Sequence, residues 1–135
     1  MIYLLDAVNI AVFDSTLCHL LVFKSDASKM SLIGGKKHFG ELAYDAAYRL
    51  LYELCGISAD DIILKPLCTV VDRQNESSLD VWFGALTGDA GIVCTEITPV
   101  WYDLSQDLSS QSFDGDGMAE YMIKKAMEAI KNAKG

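Results

Sequence analysis

Residues 32–57, LIGGKKHFGELAYDAAYRLLYELCGI, join a glycine-rich loop to an amphipathic helix, and any fold of this chain has to accommodate that join. Gly34 and Gly35 follow an apolar run and predict a tight turn through positive φ, and Gly40 frees the backbone again before Glu41. Beyond it Ala43, Ala46, Ala47, Leu50, Leu51 and Leu54 recur at three- and four-residue steps, which puts one broad apolar face on a helix. Gly56 stops that helix after Cys55. Asp45, Arg49 and Glu53 stand four residues apart along it. Read locally they are surface ion pairs, each contributing about 0.3–0.5 kcal/mol.

The rest of the chain reads as strands and one more helix. Residues 2–13 are a long strand or two offset ones, Asp14-Ser15-Thr16 a turn, and residues 17–23 a second strand. His19 falls in that strand with no second His or acid spaced to help it, so it is a packed or edge histidine. After the helix, residues 58–61 connect to a strand over 62–71, where Pro66 marks an edge or a bulge. Residues 72–78 make a hairpin tip and 79–87 a strand with Trp82 and Phe83 as core aromatics. The chain closes on an amphipathic helix over 118–134, with Ala119, Met122, Ile123, Ala126, Met127 and Ile130 in one stripe and a lysine-rich end that suits the helix dipole.

With 135 residues and 51% hydrophobic content the expectation is a single domain over 1–135 with a real core. No apolar run approaches the roughly 20 residues of a membrane span, and the start lacks the basic and apolar pattern of a secretion signal. The expectations are therefore no membrane and a cytoplasmic protein. A net charge of -8 argues against binding a nucleic-acid polymer, whose phosphates call for many Lys and Arg on one face. A small nucleotide remains open, held through divalent cations or a local basic cluster such as Lys36, Lys37 and His38. Cys18, Cys55, Cys68 and Cys94 are dispersed, with neither C-x-x-C nor His at zinc spacing, so buried free thiols are expected.

Gly35, Glu41, Arg49, Leu51, Glu53, Gly56 and Ile57 fall in the register Gly, five residues, Glu, seven residues, Arg, any residue, aliphatic, any residue, Glu, two residues, Gly, aliphatic. This resembles the signature of the Nudix hydrolases, and the Gly34-Gly35-Lys36 entry and the Gly40-Glu41 pair are similar to that family too. Where the family carries two further glutamates, from which it draws its principal metal carboxylates, this chain has Leu50 and Leu54. A second likeness lies in residues 95–104, TEITPVWYDL, where Glu96 matches an acid that in many members reaches the metal site from outside the helix. Phe113, Asp114 and Asp116 resemble, loosely, the base-binding acids of the oxidised-purine nucleoside triphosphatase branch; as an ordinary loop, Asp114 and Asp116 cap the last helix. A Walker loop is excluded because Met30 and Lys37 stand where it needs Gly and Ser or Thr. A calcium loop at 114–118 fails on Met118.

The resemblance implies an α/β fold, a Nudix-like α/β/α sandwich with a mixed β-sheet between helices. It implies a magnesium- or manganese-dependent attack of water on a nucleoside diphosphate-linked substrate. By that resemblance Glu53 and Glu96 are the catalytic candidates, Glu41, Glu53 and Glu96 the metal candidates, Gly35, Lys36 and Arg49 the phosphate-binding ones, and Asp114 and Asp116 the base-binding ones. Leu50 and Leu54 lie one helical turn apart beside Glu53 and replace two carboxylates by an apolar ridge. Three readings follow: a divergent hydrolase that holds fewer metal ions; a nucleotide-binding sensor, regulator or protein-interaction domain without turnover; and a homodimer that buries the ridge.

Overall fold

The computed structural model describes residues 7–24, 30–72, 77–87, 98–105 and 118–134. In chain order they form β1 (Ala7–Phe13), β2 (His19–Lys24), β3 (Met30–Ser31), β4 (Ile33–Lys36), α1 (Ala43–Cys55), β5 (Lys65–Asp72), β6 (Ser77–Ala85), β7 (Thr98–Asp103) and α2 (Met118–Lys134), with a short 3-10 turn at Ala59–Asp61.

The seven strands make one mixed sheet in the order β3-β2-β1-β6-β5, with β4 also on β1 and β7 also on β2. β1 is its hub. It runs parallel to β6 along its whole length, pairs its last residues with β2, and gives its first half to β4 through Ala7↔Lys36, Asn9↔Gly34 and Ile10↔Ile33. Alternation along β1 then separates two cores. Val8, Ile10 and Val12 pack with Ala46, Ala47, Leu50 and Leu51 of α1, whereas Ala11 and Phe13 pack with Met122, Ile123 and Ala126 of α2. The two helices cover opposite faces of the sheet, as the α/β/α sandwich requires. No helix among the described residues is long and apolar enough to cross a membrane.

Four local expectations change. Gly34 and Gly35 are not in a positive-φ turn; they lie in β4, and the left-handed glycines are Gly40 (φ 78) and Gly56 (φ 68). The strand pair needs them for space, since a Cβ on either would strike a neighbour. The strand after α1 begins at Lys65 because the 3-10 turn and an isolated bridge from Ile62 to Leu86 occupy the residues before it; the register does shift between Pro66 and Cys68, as the proline implies. Of the cysteines, Cys55 is buried, Cys68 half-buried and Cys18 exposed at a turn, and Cys94 lies outside the described residues. His19 does have an acid: the turn folds Asp14 back, and its Oδ2 lies 2.9 Å from His19 Nδ1. Burial alone would raise the Asp14 pKa, but the Thr16 hydroxyl, the His19 ring and the amides of His19 and Cys18 outweigh it and hold the carboxyl at about 2.

Candidate functional site

The join between loop and helix is held by Arg49. Its Nε donates to Glu41 Oε2 at 2.9 Å and its Nη2 to Glu41 Oε1 at 3.0 Å, while Nη1 donates to Glu53 Oε2 at 3.0 Å and Nη2 also reaches the Lys36 carbonyl at 2.9 Å. The helix places Arg49 and Glu53 one turn apart, as the spacing implied. Glu41 is the partner that helical spacing did not reveal: it precedes α1 and curls over its first turn, where a carboxylate meets the guanidinium fork with two oxygens at once. Asp45 is not among the partners of Arg49. Glu41 Oε1 also accepts from the His38 amide, and the Glu41 amide donates to the His38 carbonyl at 3.0 Å, so residues 38–41 close on themselves. Arg49, followed by the His38 amide, lowers the Glu41 pKa from 4.5 to about 2, and Glu41 raises that of Arg49.

At the other end of α1, Gly56 in the left-handed region donates to the Tyr52 carbonyl and Ile57 to that of Leu51, which satisfies carbonyls at the helix terminus and turns Ile57 into the core.

Between these ends, Leu50 is 6% exposed and lies against Gly35: a Cβ built on Gly35 would come within 2.7 Å of Leu50 Cδ2. Leu54 is half-buried on the same core. Leu50 is thus spent inside the chain and Leu54 partly so; the exposed large apolar side chains of this region are Phe39, Leu42, Tyr44 and Tyr52. Magnesium is held by several oxygens in octahedral order, commonly carboxylates and phosphates. Here both oxygens of Glu41 are engaged, Glu53 shares one with Arg49, and positions 50 and 54 are apolar. Among the described residues no three His, Cys, Asp or Glu side chains come together as a cation site. Among the described residues, that donor set does not make up a multi-carboxylate magnesium centre.

The remaining predicted residues divide. Gly35 and Lys36 lie together in β4 beside Arg49, but four hydrogen bonds commit the guanidinium to holding the loop. Lys36 is exposed, and Lys37 swings to Asp80 of β6, with Nζ 4.0 Å from Oδ2. Glu96, Asp114 and Asp116 lie outside the described residues. Sequence reasoning passed over Asn9, whose Oδ1 occupies the space a Cβ on Gly34 would need. The signal was there, as a lone carboxamide inside the apolar strand AVNIAVF.

No protein-family model matches the chain, and no curated protein matches its sequence. Solved structures do match its fold. The Nudix domain of Shewanella oneidensis NrtR, solved with ADP ribose, superposes with a TM-score of 0.73 over 93% of this chain and 88% of its own, at 17% identity. An Ap4A hydrolase of C. elegans gives 0.75 over 96% and 99%, at 14% identity. A MutT, from Aliivibrio salmonicida or Vibrio cholerae, gives 0.75 over 94% and 98%, at 18% identity. The mixed sheet with a helix on each face thus superposes on these proteins over nearly its whole length, and the chain has the Nudix fold.

Proposed function

We propose that this chain is a single Nudix-fold domain that binds a small nucleotide of the nucleoside diphosphate-linked class as a sensor or regulator, with metal-dependent hydrolysis weak or lost. The observation that carries the reading is the contact of Leu50 with Gly35, which puts hydrocarbon at the loop where a metal-dependent member needs a carboxylate. The Arg49–Glu41 fork supports it, since it keeps the loop in place without a cation to organise it. The fold of the NrtR Nudix domain, solved with ADP ribose, makes ADP-ribose a sound first probe. Exposed Lys36 is the cation offered to a phosphate.

A divergent hydrolase is the second reading. It rests on Glu53, half-exposed and bonded to Arg49 through one oxygen only, with Glu96 as its candidate partner from outside the helix. Calorimetric titration of the intact chain with ADP-ribose, ADP and pyrophosphate, with and without magnesium or manganese, separates the two when run beside a phosphate-release assay. Nucleotide binding that is indifferent to the metal, with no phosphate released, is expected. Metal-dependent turnover at ordinary enzymatic rates would overturn the proposal in favour of the hydrolase. In Leu50→Glu/Leu54→Glu, which restores the two carboxylates, magnesium-dependent release of phosphate should appear.

A further inference from the structure

The sheet face beneath α2 is closed at one end and open at the other. Ala11, Phe13, Val81 and Phe83 are buried with Met122, Ile123 and Ala126, whereas Ala7, Asn9 and Leu79, nearer the starts of β1 and β6, are only half-buried. The open end adjoins the glycine strand. Asn9 pairs with Gly34 and Ala7 with Lys36, and residues directly paired across antiparallel strands put their side chains on one face. An ammonium and a carboxamide therefore stand two residues apart on one accessible floor. The carboxamide is out of keeping with its strand, because a polar group on a central strand costs stability unless it is hydrogen-bonded. No described residue hydrogen-bonds it. Its Oδ1 lies over Gly34, so the missing side chain there is what admits it.

The geometry points to Asn9 as a specificity-determining residue of a nucleotide subsite, in which Lys36 takes a phosphate and the Asn9 carboxamide takes the edge of the base. The assignment rests on the nucleotide-binding reading above. A carboxamide sets an acceptor beside a donor, and it pairs twice with a base edge that does the same in reverse, as the N6 amino group and N7 of adenine do. Guanine presents two acceptors along that edge and leaves Asn9 Oδ1 facing one of them.

Calorimetry tests this with ADP, inosine diphosphate and inorganic pyrophosphate against the natural chain, Asn9→Leu and Asn9→Ser. The natural chain should prefer ADP to inosine diphosphate, and both variants should lose about tenfold or more for ADP while holding pyrophosphate unchanged. A carboxamide that merely fills space over Gly34 would change melting temperature and not this ratio. Folded variants with undiminished ADP affinity, or a natural chain that binds ADP and inosine diphosphate equally, would overturn the assignment; the second readout stands even if both variants fail to fold. Binding of pyrophosphate without ADP sinks the Asn9 role and spares Lys36. A natural chain that binds none of the three sinks the nucleotide reading itself, and this assignment with it.

Discussion

Arg49 holds Glu41 in a two-pronged ion pair, Nε to Oε2 at 2.9 Å and Nη2 to Oε1 at 3.0 Å, with both side chains less than one-fifth exposed. The pair spans the whole first turn of α1 and, through Nη2 and the Lys36 carbonyl, fixes the end of β4 as well. One guanidinium thus ties strand, loop and helix together, and it does so only because its planar fork matches a carboxylate.

Arg49→Lys keeps the charge and loses the fork, so it should lower the melting temperature. Glu41→Gln should do the same. Because both substitutions break one contact, the double variant should be little less stable than the worse single one, and a thermal-melt cycle reads the coupling. Additive losses would mean that the pair does not act as a unit.

Acid should release the same contact. The Glu41 carboxyl is more acidic when folded, at about 2 against 4.5, so its contribution to stability is complete above pH 4.5 and is lost as pH falls toward 2. Asp14 is shifted in the same direction, from 3.8 to about 2, so wild type alone cannot separate them. The melting-temperature gap between wild type and Glu41→Gln, open at neutral pH, should narrow below pH 4.5 and close near pH 2. A gap constant with pH would refute the assignment.

Gly35 and Leu50 should compensate for one another. Gly35→Ala pushes a methyl group against Leu50 Cδ2 and should cost about 1–3 kcal/mol, and Leu50→Ala opens a cavity worth about 2–5 kcal/mol. Their combination should cost less than the sum by about 1 kcal/mol in urea denaturation, since the new methyl enters the vacated space. Gly34→Ala lacks such a remedy. Besides Asn9 it meets the Val8 carbonyl oxygen at 2.6 Å, and backbone cannot swing aside.

Much of this protein was legible in residue order. The apolar steps from Ala43 to Leu54 specify α1, Gly56 specifies its end, the stripe from Met122 to Ile130 specifies α2, and the spacing from Gly35 to Ile57 carries the likeness to the Nudix fold. These are local properties, set by the 3.6-residue period and by the few residues that tolerate left-handed backbone. What tertiary structure alone decided are meetings between separate segments. The local ladder offered Arg49 two acids at helical spacing, and the fold gave it Glu41 from the preceding loop. Gly34 and Gly35 read as a turn, and strand pairing with β1 made them the two places where Asn9 and Leu50 need room. Leu50 and Leu54 could have been pocket wall, core or interface; packing against the sheet put the first inside and half-buried the second. Register and packing depend on partners far along the chain, and a spacing read along one segment carries no term for them.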